Sequence, residues 1–203
     1  SLLDAAERIF YEKGVSRTSL NDIAVGAGTT RGAIYWHFKD KADLFNAMME
    51  RVTLPMEATL SGIGVQGSAD PLDEIRVAMR SALHLTMHNT QVRRVFEVAT
   101  HKVEYVDELL AVKQRHLEVR NRCVAQLQDD LQQAVRHHSV ALAIPIEVAS
   151  QCLHAMVGGL IENWLLDPEA FDLVAMGDAA LGTYLAGLGF PVCSAPAAAR
   201  AAQ

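Results

Sequence analysis

Cysteine is scarce, and the little there is cannot staple the chain. Cys123, Cys152 and Cys193 are odd in number and far apart, with no C-x-x-C spacing. They describe neither a disulfide scaffold nor a zinc site, and they fit a reducing cytoplasm. No apolar run approaches the ~20 residues a membrane helix needs, and nothing reads as a secretory signal. There is no phosphate-cradling glycine loop, no G-x-S-x-G and no H-E-x-x-H, so neither catalysis nor a cofactor has a motif to stand on. Strand-length alternation and internal repeats are absent too, and only six prolines interrupt 203 residues. What is abundant is Ala, Leu and Val in helical periodicity. An all-α chain is expected, long enough to bury a sizeable core.

Positive charge is also in short supply. The net charge of −6 argues at first sight against nucleic acid, whose affinity rests on phosphate neutralisation. Its distribution argues otherwise. Between Thr29 and Lys41 the chain carries Arg31, Lys39 and Lys41 against Asp40 alone, a local basic excess.

That excess sits in the most informative stretch of the sequence, Ser19 to Phe38. Leu20, Ile23, Ala24 and Ala27 fall at i, i+3, i+4, i+7 and predict one short helix, started by Ser19 with Asp22 as an acidic capping box. Gly28 ends it, since glycine reaches the left-handed backbone that a tight turn needs. Thr29 and Thr30 then offer hydroxyls to cap a second helix that buries Ile34 and Phe38. Outward on that helix remain Thr30, Arg31, Ala33, Tyr35, Trp36 and His37. A buried helix would not carry Arg and His so densely, and a merely solvated one would not carry Tyr and Trp beside them. A helix laid in the DNA major groove accounts for both; an aromatic-rich packing helix is the plainer alternative.

The flanks narrow the choice. Ala5, Ala6, Ile9 and Phe10 form the apolar face of a preceding helix closed by Gly14, and Asp40 starts a fourth through Leu44, Phe45 and Met48. The whole run, A-A-E-R-I-F-Y-E-K-G-V-S-R-T-S-L-N-D-I-A through R-G-A-I-Y-W-H-F-K-D-K-A-D-L-F, resembles the DNA-binding domain of the TetR family of bacterial repressors. R-G-A-I-Y-W-H-F followed by K-x-K-x-x-L is similar to the branch that represses multidrug efflux pumps. The resemblance is close over residues 2 to 50 and rests on helix layout alone thereafter. Thr29 stands where the family commonly has an aliphatic residue, so the turn gives up an apolar anchor, although the Thr methyl can still pack. Relatives usually carry further residues, often rich in Lys and Arg, ahead of the point where Ser1 begins this sequence; a basic arm is expected there.

The resemblance implies roles residue by residue. Thr30, Arg31 and Gly32, with Ala33, come nearest the base edges. Tyr35, Trp36, His37 and Lys41 contact phosphate and sugar, and Thr18 or Ser19 contacts phosphate at the start of the first helix of the pair.

Beyond residue 50 the reading is coarser. Two domains and a tail are expected: a DNA-binding part over 1–50, a ligand-binding and dimerisation part over 51–190, and a disordered tail over 191–203. Ser61 to Asp70, with three glycines and two serines, is the linker candidate. Asp70-Pro71 reads as N-cap and first residue of a helix. Further helices are predicted over about 92–99, 106–136, 145–166 and 172–188. In the longest of them Leu109, Leu110, Leu117, Val124, Leu127, Leu131 and Val135 are expected inward. Ala155, Gly158 and Gly159, and Ala175, Ala179, Gly182 and Ala186, are small residues at helical spacing in the last two helices. They suit a close helix–helix interface, either within the subunit or, as the resemblance implies, across a homodimer. DNA reading favours the dimer, since one recognition helix spans only a few base pairs.

A regulator of this kind needs a signal. Helix layout on the efflux repressors puts Phe96, Thr100, Cys123, Leu127, His154, Val157 and Ile161 on a pocket face, and Met56 and Met79 add soft, adaptable walls. The same residues would also describe an ordinary core. His84 and His88 have the i, i+4 spacing of two metal ligands but no neighbouring motif; His137-His138 fits a helix C-terminus, where positive charge is favoured. Glu104, Asp107 and Glu108 read as a solvated helix start. The expectation is a cytoplasmic, homodimeric repressor without cofactor or metal, released from a palindromic operator on double-stranded DNA by a lipophilic or aromatic compound. A sensor of acyl chains or metabolites in the same family, and a helical ligand-binding module with no operator, are the alternatives.

Overall fold

The computed structural model describes residues 1–63 and 70–191, with side chains described outside 55–63. Every regular element among the described residues is helical: α1 (Leu2–Lys13), α2 (Leu20–Gly26), α3 (Arg31–His37), α4 (Lys41–Ile63), α5 (Pro71–His88), α6 (Thr90–His101), α7 (Leu110–His138), α8 (Ile146–Leu166) and α9 (Leu173–Gly187), with a 3₁₀ turn over Asp107–Leu109 ahead of α7.

The first three helices are held by local chemistry that the sequence announces. The Ser19 hydroxyl accepts from the Asp22 amide at 3.2 Å while the Asp22 carboxylate accepts from the Ser19 amide at 2.9 Å. Both orphan donors of the α2 start are thereby satisfied. The Ser19 hydroxyl also donates to the Asp22 carboxylate at 2.6 Å, and this bond first, then that from the Ser19 amide, holds the Asp22 carboxyl below the usual carboxylate range. Gly28 takes φ of +67° between α2 and α3, and the half-buried Thr29 donates its amide to the Ala24 carbonyl at 3.0 Å. Thr30 caps α3, its hydroxyl accepting from the Ala33 amide at 3.2 Å. Asp40 caps α4 by accepting from the Asp43 amide at 2.8 Å.

Among the described residues two apolar cores organise the fold. The first joins Ala6, Phe10, Ile23, Ile34 and Phe45 of α1–α4 to Val92, Val95 and Val98 of α6 and to Leu109 and Val112. The second collects Leu72, Ile75 and Leu83 of α5, Leu127 and Leu131 of α7, and Leu153, Trp164, Leu181 and Leu185 of α8 and α9. Phe96 packs against both. The N-terminal helices are therefore not a separate bead: burying α6 against them removes several Val side chains from water, each contributing roughly 1.5–3 kcal/mol.

Three expectations need correction or relocation. α4 runs through Ser61-Gly62-Ile63 and crosses residue 50 without a break, so the first three residues of the expected linker are helical; residues 64–69 lie outside the described residues, as do 192–203 of the expected tail. Asp70 and Pro71 do start α5, with the Leu72 amide donating to Asp70 at 2.9 Å. In α7, Leu110 and Leu117 are exposed rather than inward. At ~100° per residue they stand about 80–100° from the line through Leu109 and Leu127 that faces the cores. Seven apolar residues, five of them leucine, looked like one stripe and are in part its edge.

Candidate nucleic-acid interface

α3 is a short helix anchored from beneath by one side chain. Ile34 is wholly buried, Phe38 is half-buried at the C-cap, and Arg31, Gly32, Tyr35, Trp36 and His37 face solvent. Trp36 is 83% exposed. Leaving so large an apolar ring in water forgoes the ~25 cal/mol per Å² that burial would return, and nothing in the fold requires it there. The exposed side chains support one another. The Arg31 guanidinium lies over the Tyr35 ring at 5.5 Å, and the His37 ring meets Trp36 edge-on with centroids 4.9 Å apart. Thr30 and Ser19, also exposed, are the N-caps of α3 and α2. Ala33 is half-buried. Lys39 is exposed beyond the helix end, its amide donating to the Asp43 carboxylate at 3.0 Å. The arrangement is an exposed, basic and aromatic helix face, a ridge of side chains of the kind that can enter a groove.

Two of the residues expected at DNA are placed otherwise. Thr18 is 2% exposed, and its hydroxyl donates to the Gly14 carbonyl at 2.8 Å, closing the turn after α1. Lys41 is 6% exposed; its Nζ donates to the Thr18 carbonyl at 3.0 Å and pairs with Glu108 at 3.1 Å. Neither side chain presents itself to a phosphate. The reason is that the chain reversal between α1 and α2 leaves carbonyls inside the fold, and a buried carbonyl needs a donor.

A carboxylate hub links this head to the rest. Glu7 of α1 is buried and pairs with Arg51 of α4 and with Arg94 of α6, the latter at 3.3 Å, while Gln91 donates at 3.3 Å. Sequence reading passed over Glu7 because a lone acid on a short helix looks like a solvated one. Nearby, the Val15 amide donates to the Lys102 carbonyl at 2.9 Å, pinning the α1–α2 turn to the end of α6.

The residues expected around an inducer divide into groups. Leu127 and Val157 are buried in the second core, and Met79, Phe96 and Ile161 pack half-buried against it. Cys123 and His154 are half-buried on α7 and α8. Burial holds His154 below its ordinary value, with Arg120 and His116 adding repulsion, so the ring favours its neutral form. Thr100 is exposed on α6 and returns its hydroxyl to the Phe96 carbonyl at 2.8 Å, away from that core. The Met56 side chain lies outside the described residues. A polar groove of about 460 Å³ between α1 and α6, lined by Tyr11, Arg93 and Arg94 among others, contains none of the expected inducer residues.

Residues 2–48 match the family of bacterial regulatory proteins of the tetR type, and residues 70–190 match the C-terminal region of MAATS-type transcriptional repressors. The chain is 37% identical to the HTH-type transcriptional regulator AcrR of Shigella flexneri, over 85% of this chain and 80% of that one. It is 35% identical to the HTH-type transcriptional repressor BepR of Brucella suis, over 94% and 91%. Its fold is similar to that of NalD, the secondary repressor of the MexAB-OprM multidrug efflux pump in Pseudomonas aeruginosa, with a TM-score of 0.84, 33% identity and coverage of 92% and 94%. It is also similar to SmeT in complex with triclosan, with a TM-score of 0.79, 29% identity and coverage of 96% and 95%. An exposed helix-turn-helix ridge on an all-helical body, matched along both halves, makes the chain a member of the TetR family of bacterial regulatory proteins.

Proposed function

We propose that the protein represses a multidrug efflux operon by holding a palindromic operator as a homodimer, and that a lipophilic or aromatic compound releases it. The observation that carries the reading is the α3 ridge: Arg31, Tyr35 and Trp36 are solvent-facing on a helix whose only buried side chain is Ile34. In this reading Thr30 to Ala33 approach base edges, and Tyr35, Trp36 and His37 set the register on the sugar-phosphate wall. Ser19 adds a contact at the start of α2. Efflux control is supported by what the relatives NalD and SmeT regulate, and an aromatic inducer by the triclosan held by SmeT.

Two copies are needed because each ridge reads only a few base pairs, and the heads must match half-sites ~34 Å apart. The exposed small residues of α8 and α9 supply the surface for that pairing. A compound that binds the second core better when the heads are misaligned must weaken the operator complex by the same factor. A hundredfold loss takes about 2.7 kcal/mol of differential binding. The mechanical connection runs through α4 and the Glu7 hub, which joins α1 to both α4 and α6.

The test is a mobility-shift titration on DNA adjoining the protein's own gene, against a scrambled duplex, with a compound panel. Preference for the cognate duplex and release by triclosan or dye-like aromatics support the proposal. Equal affinity for both duplexes refutes operator reading, and release by acyl-CoA alone replaces efflux control with lipid control.

A further inference from the structure

The start of α5 and the end of α7 meet at three side chains of metal-binding chemistry. Asp70, His137 and His138 each place a ligand atom within 4.8 Å of the other two. His138 Nε2 lies 2.8 Å from Asp70 Oδ1. The His137 ring stands edge-on to that of His138, centroids 4.9 Å apart, and Phe190 closes the other side of His138 with its ring at 6.1 Å. Asp70 is oriented by the Leu72 amide, which donates to it at 2.9 Å. The two histidines end a helix of 29 residues, whose C-terminal carbonyls favour a cation. The other pair with ligand spacing, His84 and His88, has its rings 4.3 Å apart but gains no third ligand among the described residues.

We propose that Asp70, His137 and His138 bind one divalent transition-metal cation of the zinc class, which clamps the start of α5 to the end of α7. Two imidazoles and a carboxylate suit Zn²⁺ or Ni²⁺ and not the all-oxygen preference of Mg²⁺ or Ca²⁺. Ligand atoms around tetrahedral zinc sit about 3.4 Å apart. The His138–Asp70 pair, 2.8 Å apart as a direct hydrogen bond, therefore opens to admit the ion, the exposed His137 turns in as the third ligand, and water completes the shell on the open side. The clamp ties down the two helices that contribute Leu72, Ile75, Leu131 and Ala134 to the second core, so it restrains the part of the molecule where an inducer is expected to act.

Calorimetric titration of ZnCl₂ into the metal-stripped full chain, with imidazole NMR resonances followed in parallel, tests the assignment. The expected result is one tight equivalent per chain that shifts the His137 and His138 resonances. Asp70→Asn, which keeps a good N-cap, and His137→Ala, on an exposed ring, each weaken it by about tenfold or more. Zinc also raises the unfolding midpoint of the parent chain and not of His137→Ala. Unchanged affinity in both variants overturns the proposal, as does loss of the tight equivalent in His84→Ala or in Cys152→Ser.

Discussion

Lys41 Nζ donates to the main-chain carbonyl of Thr18 at 3.0 Å, so the cation nearest the start of α4 is spent inside the protein. It also reaches the Ser16 carbonyl at 3.5 Å and the Glu108 carboxylate at 3.1 Å. One ammonium thereby closes the α1–α2 turn, fixes the α4 start and ties both to the 3₁₀ turn before α7. A residue that reads in the sequence as a phosphate contact is a structural bolt.

Lys41→Met therefore separates two roles that the sequence could not. Removing the donors leaves buried carbonyls unpaired, at a cost of about 1–3 kcal/mol, seen as a lower urea midpoint. The slope of log affinity against log salt should stay where it is, since no phosphate contact is lost. A phosphate-binding Lys41 would instead reduce that slope by about 1 with stability unchanged.

Arg31→Ala tests the ridge itself. Arg31 stands exposed at the first position of α3 and over the Tyr35 ring, where a guanidinium can reach a guanine edge. A bidentate contact there is worth about 1–3 kcal/mol of discrimination. The variant should lose affinity for the operator while its affinity for random duplex changes far less, measured by competition shift assays. Equal losses on both duplexes would assign Arg31 to phosphate.

How far these outcomes could be foreseen differs between the two halves. The helix-turn-helix was legible because its signals are local: Ser19, Gly28 and Thr30 act on residues within four positions, and each does in the fold what its chemistry suggests. Lys41 was misplaced because its burial depends on a carbonyl 23 residues away, which no periodicity records, and Thr18 because a hydroxyl next to a helix start reads as open when it is turned back onto Gly14. Leu110 and Leu117 failed for a related reason: two leucines seven residues apart do not reveal which edge of the stripe a neighbouring helix covers. Glu7 was invisible, as its partners lie 44 and 87 residues away.

Glu7→Gln probes that hub. The substitution keeps the shape but leaves Arg51 and Arg94 facing a neutral amide in a site where the acid is 5% exposed. Arg51 retains Asp4 as a partner, so the expected loss is moderate, about 1–3 kcal/mol. Chemical denaturation measures it. A loss below the error of such a measurement would show that the hub contributes nothing net to stability.

Acid should destabilise the second half through His154. Its folded value lies below the ordinary 6.5, chiefly because burial disfavours the charged ring. The unfolded chain therefore takes up the proton first. The stabilisation is complete above 6.5 and declines as pH falls from there to the depressed folded value. His154→Leu should flatten the unfolding midpoint over that interval. An unaltered pH profile in the variant would place the acid sensitivity elsewhere.

The last prediction concerns pairing. A Cβ built on Gly158 of α8 or Gly182 of α9 meets nothing within 4 Å, whereas one on Gly177, on the inner side of α9, would collide with the Leu83 side chain. The two kinds of glycine thus face different neighbours: Gly177 serves the protomer's own packing, while Gly158 and Gly182 leave room for something outside it. Exposed Ala155, Ala175 and Ala179 extend that open surface. Leucine at Gly182 should not harm the protomer, because replacing a mid-helix glycine favours the helix by up to ~1 kcal/mol. In a two-fold dimer the added side chain occurs on both sides of the interface, so self-association should weaken by more than tenfold, with operator binding falling alongside it. Sedimentation across a concentration series reads the first effect, and circular dichroism verifies that the helices persist. Gly177→Leu should do the reverse, lowering the unfolding midpoint of the protomer by overpacking against Leu83 at about 1–3 kcal/mol. If Gly182→Leu sediments as the parent does, the dimer face lies away from α9 and the pairing surface has to be sought on another pair of helices.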